Sequence, residues 1–116
     1  MLERPSFIQG VFSATGKGLD APLSLTPRAT YRVPGDKRAQ TVYFRAGNAA
    51  AELVALLLTR DGQPMRFFPV GARQGMHVAL AVLEDIPPET ELEVFVAAPA
   101  GLSVSVVLDI GFIEVA

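Results

Sequence analysis

The fold is decided by residues 53–70, which read LVALLLTRDGQPMRFFPV. Two apolar segments in this stretch, residues 53–60 and 65–70, flank the pair Asp61 and Gly62. An Asp-Gly pair between two such segments favours the tight turn of a β-hairpin, because that turn needs a positive φ, which Asp tolerates and Gly adopts readily. The stretch therefore predicts two adjacent antiparallel strands.

Short apolar segments separated by turn residues continue along the rest of the chain. They occupy residues 7–13, 30–33, 40–45, 76–83, 92–98 and 103–110. Their side chains mostly alternate with a period of two, and Pro and Gly lie between them, as is typical of strands joined by turns. We therefore predict an all-β protein of about eight or nine short strands. Its fold would be a single-domain antiparallel β-sandwich of jelly-roll type over residues 1–116.

Residues 48–58 offer one helical alternative. Asn48 could cap a helix, and the three alanines that follow it favour one. That helix would run directly into the turn at Asp61 and Gly62, and it would leave the next strand without a partner. A strand is therefore the preferred interpretation of this segment.

Composition limits the class of protein. The chain of 116 residues is 50% hydrophobic, carries a net charge of −2, and contains neither Cys nor Trp. This apolar content is enough to order one core and excludes a disordered chain, while the lack of Cys excludes a disulfide scaffold and thiolate metal sites. No run reaches the roughly 20 apolar residues of a membrane span. The first residues lack the pattern of a signal peptide, so we expect a cytoplasmic protein that does not bind a membrane.

Charge is divided unevenly along the chain. Residues 1–73 hold all ten Lys and Arg and five of the twelve acidic residues, whereas residues 74–116 hold seven acids and no Lys or Arg. Such asymmetry could steer head-to-tail association between copies. The preferred interpretation is that neighbouring strands neutralise these charges, because surface ion pairs are individually weak.

Three predicted strands are apolar on both faces, although an antiparallel sheet needs only one apolar face. They cover residues 53–58, 76–83 and 92–98. If these strands are neighbours, their outward side chains form an Ala-rich patch suited to self-association or to docking on another protein. A covering loop of the same chain is the alternative. The predicted interface residues are Ala55, Leu57, Ala79, Ala81, Leu83, Phe95 and Ala97.

His77 is the single histidine, and it lies near Arg66 and Arg73 around a predicted turn. These three residues are candidates for a small anion or ligand site, which is the alternative to an interaction or structural module. One histidine cannot form a multi-histidine metal centre, and no serine lies in a Gly-x-Ser-x-Gly motif. We therefore predict a non-catalytic protein without a metal or other cofactor.

The sequence gives little support for four further binding classes. The glycine-containing loop at residues 10–18 lacks the spacing of a phosphate-binding loop, and the acidic turn at residues 84–91 lacks the spacing of a calcium loop. The negative net charge argues against nucleic acid, although basic residues surround three aromatic ones between residues 28 and 45. The absence of Trp and the presence of only two Tyr argue against carbohydrate.

One stretch of the chain resembles a known family. Residues 61–64 and 70–78 read DGQP and VGARQGMHV, and a Pro-rich turn follows near Pro87. This pattern is similar to the sensory-rhodopsin transducer family, small β-sandwich proteins that assemble as tetramers. The similarity covers about a quarter of the chain, and the first strand lacks the aromatic-rich opening of that family. The resemblance implies a cytoplasmic homo-oligomer without catalytic activity.

Overall fold

The computed structural model describes residues 3–80 and 85–116. Its strands are β1 (Arg4–Thr15), β2 (Gly18–Arg32), β3 (Arg38–Asn48), β4 (Val54–Arg60), β5 (Gln63–Val70), β6 (Gly75–Ala79), β7 (Asp85–Ile86), β8 (Glu91–Ala98) and β9 (Ser103–Val115). The all-β prediction is confirmed, and β4 occupies the segment that had a helical alternative. Within the described residues, no helix has the length and apolar character needed to cross a membrane.

The strands lie in the order β5-β4-β8-β2-β1-β9-β3-β6, with β7 paired to β3. We call β5, β4, β8 and β2 the back sheet, and β1, β9, β3 and β6 with β7 the front sheet. The two sheets are joined where Ser13 on β1 pairs with Thr26 on β2. All pairings are antiparallel, so the predicted jelly-roll-like sandwich is confirmed.

The predicted hairpin joins β4 to β5. Asp61 and Gly62 both have a positive φ, of 46° and 80°, and Arg60 pairs with Gln63 across the turn. Asp61 also accepts a hydrogen bond at 2.9 Å from the backbone N–H of Glu91 on β8. The turn residues therefore set the local backbone and also anchor the hairpin to the neighbouring strand.

The core lies between the two sheets. The rings of Phe44 on β3 and Phe68 on β5 stack across it with their centroids 3.9 Å apart. Every second residue of β9 from Val104 to Phe112 is buried against the back sheet. Burying each such side chain contributes roughly 1.5–3 kcal/mol, so this alternation determines which face of β9 points outward.

The unevenly distributed charges meet between strands. Within the described residues, ion pairs link basic residues of the first 73 positions to acids of the remainder: Arg28 with Glu91 and Glu93, Arg38 with Asp85, and Arg45 with Asp109. The pairing of β2 with β8 and of β3 with β7 and β9 creates these contacts. This agrees with neutralisation within one chain rather than between copies.

Candidate functional site

The register of the front sheet places one side chain from each of four strands in a line. Gln9 on β1 faces Asp109 on β9, Asp109 faces Arg45 on β3, and Arg45 faces His77 on β6. We call these four residues the polar row. They supply an amide, a carboxylate, a guanidinium and an imidazole, which are planar groups that hydrogen-bond in defined directions.

Asp109 is the centre of the polar row and is saturated with donors. It accepts hydrogen bonds from Gln9 Nε2 at 3.0 Å, from the Tyr43 hydroxyl at 2.9 Å and from Arg45 Nε at 3.1 Å, and it also contacts Arg45 Nη2. These bonds, that from Arg45 first, lower the pKa of Asp109 to about 2. Asp109 is therefore ionised, and it both neutralises Arg45 and orients the side chains around it.

Tyr43 lies flat on the sheet because its neighbour on β9 is Gly111. A Cβ atom on Gly111 would lie 2.7–2.8 Å from Cζ and Cδ2 of the Tyr43 ring, so no larger residue leaves room for the ring there. The Tyr43 hydroxyl is held by Asp109, and burial together with this bond raises the pKa of Tyr43. The result is an aromatic ring that is held in place and partly exposed.

Two further side chains border this aromatic surface. The guanidinium of Arg45 lies 5.4 Å from the centroid of the Tyr43 ring, within the range of a cation–π contact. The ring of His77 meets the Tyr43 ring edge-on, with centroids 6.0 Å apart and planes at 88°. The guanidinium of Arg45, which Asp109 holds, therefore lies over part of the ring, and the imidazole of His77 lies at its edge.

A groove leads away from Tyr43 along the front sheet. Tyr43, Arg45 and His77 line a cavity of about 230 Å³. A second cavity of about 410 Å³ shares Arg45 with the first, and a third of about 310 Å³ shares Gly47, Gly75 and Val107 with the second. Because consecutive cavities share lining residues, they lie side by side along the outer face of the front sheet, and we call the three together the groove.

Buried Asn48 holds the far end of the groove in place. Its Nδ2 donates to the carbonyl oxygens of Glu52, Val70 and Gly71 at 2.9–3.3 Å, and its Oδ1 accepts from the N–H of Ala50 at 2.9 Å. These bonds tie the end of β3 to the chain on either side of β4 and β5. The residue considered as a helix cap therefore organises a loop instead.

The structure divides the predicted interface residues between the two sheets. Ala55 pairs with Ala97, and Leu57 pairs with Phe95, so these four residues share the outer face of the back sheet. Ala79 lies on β6 in the front sheet, opposite Tyr43. The condition that all three apolar strands are neighbours is therefore not met. Ala81 and Leu83 lie outside the described residues, and an interface at the remaining positions stays a prediction.

The predicted ligand site is also divided. His77 lies on the outer face of the front sheet, in the cavity with Tyr43 and Arg45. Arg73 lies in the turn before β6, where its N–H donates to the carbonyl oxygen of Ala50 at 2.9 Å. Arg66 lies on β5 in the back sheet, paired with Leu58. His77 thus has partners other than those predicted, and a role for Arg66 and Arg73 in binding stays a prediction.

In the sequence, Tyr43 and Arg45 belong to the group of basic and aromatic residues between residues 28 and 45. Nothing in the local pattern connects them to Asp109 or Gly111. The structure separates the rest of that group. Phe44 is buried in the core, and Tyr31 stacks on Phe112 with centroids 4.5 Å apart. The available signal was an acidic residue, Asp109, between the apolar residues Leu108 and Ile110 of β9.

Comparison with known proteins gives a fold but no family. No family model matches the chain, and no curated protein matches it. Among solved structures, the chain is similar to the CBM36-1 domain, a carbohydrate-binding module, of a multidomain xylanase from the hindgut metagenome of Trinervitermes trinervoides. The TM-score is 0.59 at 12% identity, over 97% of this chain and 98% of that domain. This likeness supports the β-sandwich assignment.

The prediction that carbohydrate is an unlikely partner was wrong. It rested on the absence of Trp and the small number of Tyr, yet a carbohydrate-binding module has this fold over nearly the whole length of the chain. The structure also shows why residue counts mislead here. A single tyrosine held flat on Gly111 provides an aromatic surface that a count of aromatic residues does not reveal.

Proposed function

We propose that this protein is a carbohydrate-binding module whose ligand lies on the outer face of the front sheet. The observation that carries the proposal is the Tyr43 ring, held flat on Gly111 by Asp109 and bordered by Arg45 and His77. A pyranose ring has an apolar C–H face and a rim of hydroxyls. An ordered aromatic face with planar hydrogen-bonding groups around it is complementary to both features.

Preorganisation strengthens this interpretation. Small ligands bind best where the protein groups need not be ordered on binding. Gln9, Tyr43 and Arg45 are each already bonded to Asp109, so the ligand meets side chains in fixed orientations. The fold shared with the CBM36-1 domain supports the same class of ligand. Binding rather than catalysis is favoured, because the carboxylate of Asp109 is already occupied by three donor residues.

The first experiment replaces Tyr43. We expect Tyr43→Ala to weaken binding to any glycan that the wild type binds by about tenfold or more, equivalent to about 1.4 kcal/mol. Affinity electrophoresis and titration calorimetry with xylan, β-glucan and mannan would measure the affinity of both proteins. The xylan is included because the similar domain belongs to a xylanase.

The matched control is Phe67→Ala. Phe67 is an aromatic residue with 62% of its surface exposed, and it lies on the back sheet, away from the proposed site. This variant should bind as the wild type does. If the wild type binds none of the glycans, or if Tyr43→Ala binds as well as Phe67→Ala does, the proposed site is wrong.

A second candidate function is self-association through the back sheet. We propose it because the register places Phe67, Leu57 and Phe95 in one row and Pro69, Ala55 and Ala97 in the next, an apolar area we call the back-sheet patch. Phe67 is its most exposed member among the large side chains. Light scattering should then give a multimer for the wild type and a monomer for Phe67→Glu. A monomeric wild type contradicts this candidate.

A further inference from the structure

We propose that the groove beyond Tyr43 binds an internal segment of an uncharged glycan chain, which lies along β3 and β9 and passes over Gly47 and Gly75. This inference rests on the proposed function and specifies its ligand. It distinguishes a polymer-binding protein from one that recognises a single terminal sugar. Three observations carry it, namely the glycine pair, the length of the groove and its charge.

Gly47 and Gly75 face each other on β3 and β6 and form the floor of the groove. A Cβ atom on Gly47 would meet its nearest neighbour, Val107 Cβ, at 4.0 Å, which is an ordinary contact. On Gly75 the nearest atom would be the Ala46 carbonyl oxygen at 3.4 Å. Neither packing nor backbone conformation therefore requires glycine. Glycine inside a strand often marks close approach of a ligand, and here two of them lie side by side.

The groove is too long for one sugar. Its lining runs from Tyr43, opposite Gly111, to Ser105 at the other end of β9. Six residues of an extended strand span about 20 Å, which accommodates several linked sugars. Neighbouring cavities share Arg45, or Gly47, Gly75 and Val107, so the three lie side by side along this length of the sheet.

The charge of the groove favours a neutral ligand. Among the described residues that line it, Arg45 is the one Lys or Arg and Asp109 is the one carboxylate, and these two are paired with each other. The remaining lining consists of Tyr43, His77, small and apolar residues, and amide and hydroxyl groups. Hydroxyl-rich chains match such a surface without burying an unpaired charge.

The decisive variant is Gly47→Val, which fills the floor with a residue that favours strands. Wild type, Gly47→Val and Tyr43→Ala would be titrated with xylo-, cello- and manno-oligosaccharides from the monosaccharide to the hexasaccharide, and with polygalacturonate as an acidic chain. In the oligosaccharide series that binds best, we expect the wild type to bind the hexasaccharide at least about tenfold more tightly than the disaccharide. Gly47→Val should lose that gain while keeping the affinity for the disaccharide, and Tyr43→Ala should weaken binding of both.

The outcomes separate the two proposals. Equal affinity of the wild type for disaccharide and hexasaccharide, unchanged hexasaccharide binding by Gly47→Val, or preference for polygalacturonate would each overturn the neutral-chain inference. In each of these three cases the proposed function would still stand, provided that Tyr43→Ala weakens glycan binding. Absence of all glycan binding would overturn both. Amide NMR shifts provide a test without substitution: the hexasaccharide, but not the disaccharide, should shift Gly75 and Ser105.

Discussion

At the scale of single residues, the site depends on the absence of one side chain. Gly111 leaves the space that the Tyr43 ring fills, and Asp109 holds the hydroxyl of that ring. Gly and Asp are both uncommon within strands, but neither residue by itself indicates a site. Their function arises because β3 and β9 pair in a register that sets Tyr43 opposite Gly111 and Arg45 opposite Asp109.

The contact between Tyr43 and Gly111 can be tested by a double-mutant cycle. Gly111→Ala should destabilise the wild type by about 1–3 kcal/mol, because the added methyl group overlaps the ring. In a Tyr43→Ala background the same change should be neutral or stabilising by roughly 0.5–1 kcal/mol, since alanine is better than glycine within a strand. Urea unfolding of the four proteins measures the coupling. Equal effects in both backgrounds would show that the ring does not lie on Gly111.

Asp109 should also affect the free energy of unfolding at acidic pH. Its pKa falls from 3.8 to about 2 on folding, mainly because of the bond from Arg45. A carboxyl whose folded pKa is lowered stabilises the protein fully above its unfolded pKa, and this contribution is lost as the pH falls towards the folded value. The free energy of unfolding should therefore decline more steeply between about pH 4 and pH 2 in the wild type than in Asp109→Asn.

Urea unfolding across that pH range would measure the difference. Glu93, whose pKa is also lowered, chiefly by its hydrogen bond from Arg28, titrates in both proteins and cancels in the comparison. Parallel pH profiles for the two proteins would contradict the role given to Asp109.

At the scale of elements, the local sequence pattern accounts for the hairpin, whereas tertiary pairing decides which strands are neighbours in each sheet. The turn at Asp61 and Gly62 joins the predicted strands, because positive φ is a property of the turn itself. By contrast, residues 53–58 and 92–98 pair within the back sheet, while the strand at Gly75–Ala79 pairs with β3 in the front sheet. Apolar composition therefore does not show which strands pair, and it does not guarantee burial, because Gly75, His77 and Ala79 are exposed on β6.

A bulge on β3 is another feature of strand pairing that the sequence pattern does not reveal. Thr41 pairs with Phe112 and Tyr43 pairs with Gly111, so Val42 is an extra residue in the ladder. Thr41 and Phe44 are consequently both buried although an odd number of positions separates them. Bulges re-aim side chains in this way, and nothing in a period-two pattern marks their position.

At the scale of the whole molecule, the charge distribution bears on assembly. The acids of the C-terminal part pair with bases of the N-terminal part within the chain, in the ion pairs at Arg28, Arg38 and Arg45. Charges already paired contribute little to attraction between copies. The candidate surface for self-association is therefore the apolar back-sheet patch.

If the protein self-associates, its molar mass by light scattering should be the same at low and high salt. Apolar burial is not weakened by ionic screening, whereas attraction between charged surfaces is. Phe67→Glu should abolish the association, and Phe7→Glu on the front sheet is a control, since Phe7 is also exposed but lies on the opposite face. Dissociation of the wild type by salt would point to the charges instead.

The all-β class, the hairpin and an approximate number of strands follow from the sequence, because period-two alternation and turn chemistry are properties of neighbouring residues. The site follows from long-range pairing. Gln9 meets Asp109 across 100 positions, and Arg45 meets it across 64. Those contacts depend on the register of β9 between β1 and β3, which is set jointly by core packing, the bulge at Val42 and closure of the sandwich, and no local pattern encodes it.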